Sequence, residues 1–94
     1  MQIPMVLNSP EFTLAVNMLN KLTREPRDYE LHELYGLYQQ ATIGNINSIE
    51  PETNDPYWIA WNKYKDLNTY DSEVKYITFV NTLIDKYGFD SNKT

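Results

Sequence analysis

The most constraining feature of this sequence is an apolar pattern with a helical period. Apolar residues recur at intervals of three and four along several segments, as in Phe12, Ala15, Val16, Leu19 and Leu22. An α-helix turns once in about 3.6 residues, so this spacing gathers the apolar side chains on one face. No segment alternates with period two for long enough to predict a β-strand. Because 94 residues is the size of one domain, we expect a single all-α domain over 1–94, with its core at about 9–88.

Four positions have the residue types that begin helices. Ser, Asp and Asn side chains accept hydrogen bonds from the free N–H groups of a first helical turn, and proline suits the first helical position. The four predicted N-caps are Ser9, Asp28, Asp55 and Asn68, and proline follows the first and third of them. The sequence therefore predicts four helices.

The predicted helix ends rest on proline, glycine and turn residues. We expect helix one to stop before Pro26, helix two to cover 29–43, helix three to run over about 57–65, and helix four to end at Tyr87 before Gly88. The long loop 45–54 separates helices two and three. The first four and last six residues are expected to fray.

Composition and charge exclude several classes of function. Thirteen acidic residues against eight basic ones give a net charge of −5, which is opposite to the basic footprint of a nucleic-acid or anionic-membrane binder. Without cysteine and with one histidine, the chain offers neither a disulfide framework nor a conventional zinc site. No apolar run approaches the ~18–20 residues of a membrane span. We expect a monomeric cytoplasmic protein without metal, cofactor or stable membrane insertion.

Helix two carries a second face beside its core face. Leu34, Leu37 and Ala41 share the face that we expect to be buried. The adjacent face combines aromatic and hydrogen-bonding groups: Leu31, Tyr35, Tyr38, Gln39 and Thr42. Two interpretations stay open from spacing alone. The tyrosines either bury their rings and keep their hydroxyls in water, or line a binding cleft.

The same reasoning predicts the environment or the role of several single residues. Tyr76 lies in the apolar stripe of helix four, yet it is the member for which we favour a binding role over core packing. Trp58 and Trp61 are expected in the core, His32 is expected to be exposed, and Glu30 and Glu33 are expected on a solvated face. No pair of carboxylates or other group predicts catalysis.

The stretch Leu34-Tyr-Gly-Leu-Tyr-Gln-Gln-Ala-Thr-Ile-Gly-Asn-Ile-Asn47 resembles the signature of the acyl-CoA-binding protein family. Pro51, Trp58-Ile-Ala-Trp61-Asn62, Tyr76-Ile77 and Lys86-Tyr-Gly88 are similar to further family motifs in the same order. The resemblance covers about residues 9–88.

The resemblance implies an up-down-down-up bundle of four helices that carries long-chain fatty acyl-CoA esters and is not an enzyme. By position, it implies that Tyr35 binds near the phosphate or ribose and that Tyr38 packs on the adenine. It also implies that Tyr76 closes the site from helix four.

The sequence departs from the family where the ligand's phosphates would be bound. Gln39, Tyr57 and Asn20 stand where the family usually has basic residues. Leu31 joins these residues because it lies on the aromatic and hydrogen-bonding face of helix two. The candidate ligand-binding residues are therefore Asn20, Leu31, Tyr35, Tyr38, Gln39, Tyr57 and Tyr76. Five other cations are expected to be solvated charges: Arg24, Arg27, Lys63, Lys65 and Lys75. Lys65 is the one that we consider first as a substitute for a missing phosphate-binding lysine. We therefore expect weakened or altered phosphate recognition.

Two further hypotheses remain beside the carrier. The same bundle without acyl-CoA binding would be a protein-interaction module that offers its tyrosine cleft to a partner protein. Alternatively, the groove binds a free fatty acid or another lipid that needs no phosphate contact.

Overall fold

Four α-helices make up the fold in the computed structural model, which describes residues 8–46 and 54–93. They are α1 (Pro10–Met18), extended by a 3-10 turn (Leu19–Lys21), α2 (Asp28–Thr42), α3 (Pro56–Lys63) and α4 (Thr69–Tyr87). Helix α2 packs against both α3 and α4, and α1 packs against α4. The predicted all-α, four-helix architecture is confirmed. Most of the expected loop 45–54, including Pro51, and the expected frayed N-terminus lie outside the described residues.

Three of the predicted N-caps are confirmed. The Ser9 hydroxyl accepts a hydrogen bond from the Phe12 N–H at 3.1 Å. The Asp55 carboxylate accepts from the Tyr57 N–H at 2.9 Å, and the Asn68 side chain accepts from the Asp71 N–H at 2.7 Å. Each side chain satisfies a backbone donor that has no partner within its helix.

The fourth predicted N-cap, Asp28, is wrong by one residue. Arg27 occupies the N-cap position, and Asp28 is the first helical residue. The carboxylate of Glu30 accepts from the Arg27 N–H at 2.8 Å, so the capping acceptor lies inside the first turn. The α2 and α3 bounds differ from prediction by one or two residues, while α4 ends before Gly88 as expected.

The core is formed by residues from α1, α2 and α4 and from the start of the α1–α2 linker, which covers 22–27. Its buried members are Phe12, Ala15, Leu22, Leu34, Leu37, Ala41, Tyr76, Val80 and Leu83. The predicted core face of α2 is therefore confirmed. Tyr76, for which we favoured a binding role over core packing, is packed in this core and is only 2% exposed. Trp58 and Trp61, expected in the core, are half-buried.

A glycine sets the approach of α2 to α3. A Cβ atom at Gly36 would meet the backbone carbonyl of Ala60 and would lie 3.0 Å from the Trp61 nitrogen. Neither backbone atom can move aside as the end of a flexible side chain could. The missing side chain at Gly36 therefore allows α2 and α3 to pack backbone to backbone.

The C-terminal segment 88–93 is attached to the α1–α2 linker, which corrects the expectation that the last six residues fray. Leu22 and Phe89 form an isolated antiparallel bridge. The Thr23 N–H donates to the Gly88 carbonyl at 3.0 Å, and the Asp90 N–H donates to the Lys21 carbonyl at 2.8 Å. Thr94 lies outside the described residues.

Glu30 and Glu33 do not lie on a freely solvated face, contrary to expectation. Glu30 is 3% exposed and accepts from the Tyr87 hydroxyl at 2.6 Å and the Lys86 ammonium at 2.9 Å. Burial by itself raises the pKa of Glu30, but these two donors and the Arg27 N–H together lower it to about 2. Glu33 forms an ion pair with Lys63 at 3.0 Å.

Candidate functional site

Four rings from α2 and α3 form a first aromatic cluster, composed of His32, Tyr35, Tyr57 and Trp61. The His32 and Tyr57 ring centres are 4.6 Å apart at 79°. Tyr35 meets Tyr57 at 5.1 Å and Trp61 at 6.3 Å, in both cases edge to face. This arrangement suits the positive edge and negative face of aromatic rings. His32 is half-buried against Tyr57 and is not the exposed histidine that we expected.

Hydrogen bonds hold two rings of the first aromatic cluster. Gln39 lies one helical turn after Tyr35, and its Nε2 donates to the Tyr35 hydroxyl at 3.3 Å. The Trp61 indole N–H donates to the Gly44 carbonyl at 2.8 Å. Tyr57 and Gln39, two of the positions at which basic residues were expected from the resemblance, thus contribute a ring and a neutral amide to this cluster.

Phe12, Tyr38 and Tyr76 form a second aromatic cluster that joins the core to the surface. Phe12 stacks with Tyr38 at 5.9 Å and 24° and contacts Tyr76 at 4.9 Å. Tyr38 and Tyr76 are 6.2 Å apart. The buried Phe12 and Tyr76 rings support Tyr38, which is 39% exposed. Burial, with Tyr38 alongside, raises the pKa of the Tyr76 hydroxyl, so this group stays protonated.

Some of the cationic side chains form ion pairs with carboxylates, and others do not. Lys63 bonds to Glu33, and Lys86 bonds to Glu30. Within the described ranges, the remaining exposed candidates make no side-chain hydrogen bond or ion pair: Arg24, Arg27, Lys65 and Lys75. Lys63 is held by Glu33, and within residues 8–46 and 54–93 no cation is placed over a ring of the first aromatic cluster.

Two predicted site residues lie apart from the aromatic clusters. Asn20 and Leu31 line a cleft of about 410 Å³ between the end of α1, the α1–α2 linker and the start of α2. None of the residues that line it belongs to either aromatic cluster. We call this opening the linker cleft; Leu22, Leu34, Arg24 and Lys93 also line it.

The predicted binding residues therefore separate into three places. Tyr35, Gln39 and Tyr57 meet at the first aromatic cluster, Tyr38 and Tyr76 meet at the second, and Asn20 and Leu31 line the linker cleft. The candidate list missed Phe12, His32 and Trp61. The helical spacing could have indicated His32, because this residue lies three positions before Tyr35 and therefore on a neighbouring part of the α2 surface.

Searches for other kinds of site give two findings about the described residues. No group of three or more acidic or histidine side chains in these ranges is placed to hold a metal ion. Among the helices of residues 8–46 and 54–93, none combines the length and the apolar character that a bilayer crossing requires.

The sequence and the fold are both similar to known proteins. The family described as "Acyl CoA binding protein" matches residues 9–80. An "Acyl-CoA-binding protein homolog" from Drosophila melanogaster is 36% identical over 83 residues, covering 84% of this chain and 96% of that protein. The "Acyl-CoA-binding protein" of Saccharomyces cerevisiae is 41% identical over 80 residues, covering 81% and 92%.

Two solved structures resemble the fold. The crystal structure of Oryza sativa Acyl-CoA-Binding Protein 2 has a TM-score of 0.73 at 26% identity, covering 81% of this chain and 89% of that one. The solution structure of the yeast Acyl Coenzyme A Binding Protein has a TM-score of 0.65 at 35% identity, covering 86% and 99%. The predicted fold and the expectation of a non-enzymatic binding protein agree with these relatives. The chain belongs to the acyl-CoA-binding protein family.

Proposed function

We propose that this protein binds long-chain fatty acyl-CoA esters as an intracellular carrier and pool former, with weakened recognition of the ligand's phosphates. The observation that carries the proposal is the second aromatic cluster. The ring of Tyr38 is 39% exposed and rests on Phe12. A rigid ring supported from below and open above is suited to stacking on a planar base such as adenine. The names and similarity of the relatives support the same ligand class.

The first aromatic cluster supports contacts to the ribose or to the start of the acyl chain. Tyr35 presents a hydroxyl whose oxygen already accepts from Gln39, so its own proton remains available for a ligand oxygen. The Tyr57 ring beside it adds apolar surface where a lysine would add charge. Burial of the acyl chain contributes up to about 0.8 kcal/mol per methylene group.

The weaker phosphate recognition follows from the groups at Gln39 and Tyr57. A hydrogen bond to a charged group contributes about 1.5–3 kcal/mol. Replacing two lysine–phosphate contacts therefore costs about 3–6 kcal/mol, or roughly 10²- to 10⁴-fold in affinity. Lys63 cannot compensate without leaving Glu33, which lies 3.0 Å from its ammonium.

Isothermal titration calorimetry with palmitoyl-CoA tests the proposal, with CoA and palmitate titrated separately. We expect palmitoyl-CoA to bind and Tyr38→Ala to weaken binding by roughly 5- to 150-fold, since base–aromatic stacking contributes ~1–3 kcal/mol. Tyr70→Ala is the matched control, because Tyr70 is 73% exposed on α4. No heat from any of the three ligands would contradict the carrier function and favour the protein-interaction alternative.

A second titration isolates phosphate recognition. Removing the 3′-phosphate from palmitoyl-CoA is expected to change the affinity less than about tenfold, because Gln39 and Tyr57 replace the lysines that would bind this phosphate. A loss of several hundredfold would show that other cations bind this phosphate strongly. Binding of palmitate alone would instead favour a free fatty acid as the ligand.

A further inference from the structure

We infer that the outward face of α4 is a self-association surface, on which two copies of this chain pair through antiparallel α4 helices. Four exposed side chains form this surface, which we call the α4 stripe: Lys75, Thr78, Thr82 and Asp85. Their spacing of three, four and three residues places them along one side of the helix. The pair goes beyond the proposed function and departs from the monomer that we expected from the sequence.

The middle of α4 lacks charge although part of it is exposed. From Tyr76 to Ile84 the helix contains no acidic or basic residue, whereas such residues make up 22% of the chain. The exposed positions in this range have neutral polar side chains: Thr78, Asn81 and Thr82. Charged residues are depleted at the core of protein–protein interfaces, and the middle of α4 has that composition.

An open groove beside the α4 stripe supplies apolar surface for the contact. It has a volume of about 430 Å³, and Lys75, Thr78 and Thr82 line one side of it. Its other lining residues come from α2, from the residue after α3 and from α4: Glu33, Leu37, Tyr64, Val74 and Phe79. A helix laid along the stripe covers the mouth of the groove in both copies. Removing this apolar area from water favours association.

The charges at the two ends of the α4 stripe point to a second copy as the occupant. Within residues 8–46 and 54–93, neither Lys75 nor Asp85 forms a side-chain hydrogen bond or an ion pair. In an antiparallel pair with its two-fold axis at the level of Val80, residues equally far from Val80 in sequence lie opposite each other. Lys75 and Asp85 are each five positions from Val80, so each lysine faces the aspartate of the second copy.

The centre of the α4 stripe is complementary to itself in the same way. Thr78 and Thr82 are each two positions from Val80, so hydroxyl groups that can both donate and accept face each other. A parallel pair in register would instead place Lys75 opposite Lys75 of the second copy. Like charges in contact oppose association, and the charge pattern therefore selects the antiparallel orientation.

The α4 stripe faces away from both aromatic clusters. At 100° per residue, Thr78 points about 160° away from Tyr76, whose ring packs with Phe12 and Tyr38. None of the residues that line the groove belongs to either aromatic cluster. Pairing through α4 therefore leaves the exposed ring of Tyr38 accessible to a ligand.

Sedimentation equilibrium of the full chain at roughly 10 µM to 1 mM tests the inference. We expect a reversible dimer with a Kd of about 0.01–1 mM, because one helix face and its rim form a small interface. The net charge of −5 on each copy opposes association, so the measurement is made at physiological salt, where the Debye length is about 8 Å. A single species of monomer mass, 11.1 kDa, over the whole range would overturn the inference.

Charge reversal tests the antiparallel pairing. Lys75→Asp and Asp85→Lys each place like charges opposite each other, and each is expected to weaken association at least roughly tenfold. The double variant Lys75→Asp/Asp85→Lys restores opposite charges and is expected to recover most of the wild-type affinity.

Lys65→Asp is the matched control for net charge, because Lys65 is exposed and lies outside the α4 stripe and the groove. It changes the net charge as Lys75→Asp does and is expected to leave association close to that of the wild type. A double variant that stays monomeric, or equal weakening by Lys65→Asp, would overturn the antiparallel pairing.

The variant Tyr38→Ala separates this inference from the proposed function. It is expected to dimerise as the wild type does while it binds palmitoyl-CoA more weakly. Loss of the dimer in Tyr38→Ala would place the contact at the second aromatic cluster and overturn the inference. Dimers that show the expected charge dependence but bind no palmitoyl-CoA would support the inference and contradict the proposed function.

Discussion

Acidification is expected to remove much of the stabilisation that Glu30 gives to the folded state. Its pKa is about 2 in the folded protein against an ordinary value of 4.5. At ~1.36 kcal/mol per pH unit, this difference corresponds to about 3 kcal/mol of folding free energy. Since the folded-state pKa is the lower one, the contribution is present in full above about pH 4.5 and disappears as the pH falls toward 2.

Urea unfolding of the wild type and Glu30→Gln at a series of pH values measures this contribution. Gln is similar in size to a protonated Glu, so the stability difference between the two proteins should shrink by about 3 kcal/mol between pH 7 and pH 2. Asp85→Asn is the matched control, because Asp85 is exposed and adjacent to Lys86. A difference between wild type and Glu30→Gln that stays constant over this range would refute the assigned role of the buried carboxylate.

Three other substitutions test the packing, the site and a cap. Gly36→Ala should lower the free energy of unfolding by about 1–3 kcal/mol in urea titrations, because the new Cβ meets the Ala60 carbonyl; an unchanged midpoint would contradict the close approach of α2 and α3. Gln39→Lys should raise palmitoyl-CoA affinity about tenfold or more in calorimetry by adding a charge-assisted contact, and equal affinity would argue against a phosphate near this position. Asn68→Ala should cost about 1 kcal/mol in thermal unfolding through loss of the hydrogen bond to the Asp71 N–H, and an unchanged melting temperature would refute this.

Local signals were sufficient for most of the fold. Ser9, Asp55 and Asn68 each accept a hydrogen bond within the turn that they begin, so their effect is encoded in adjacent residues. At the second cap Arg27 stands in place of the predicted Asp28 and Glu30 supplies the acceptor, because a tertiary contact with Lys86 and Tyr87 fixes the carboxylate. That contact joins residues more than fifty positions apart, and helical periodicity carries no information about it.

The candidate site shows the same division between local and long-range information. Spacing on α2 correctly grouped Tyr35 with Gln39, which now share a hydrogen bond. It gave no means of separating Tyr38, which packs on Phe12, from Tyr35, which packs on Tyr57. Residues three apart on a helix point in directions that differ by about 60°. Which neighbour each ring meets depends on where α1 and α3 lie.

The bridge between Leu22 and Phe89 also constrains the order of folding. These residues are separated by 67 positions, and closing such a loop before any other contact forms costs about 4 kcal/mol of chain entropy. Two backbone hydrogen bonds contribute about 1–3 kcal/mol together and do not offset that cost on their own. The bridge should therefore form late, after the helices have brought the two segments together. Amide exchange at Thr23 and Asp90 would then follow local opening of the C-terminal segment rather than unfolding of the whole protein.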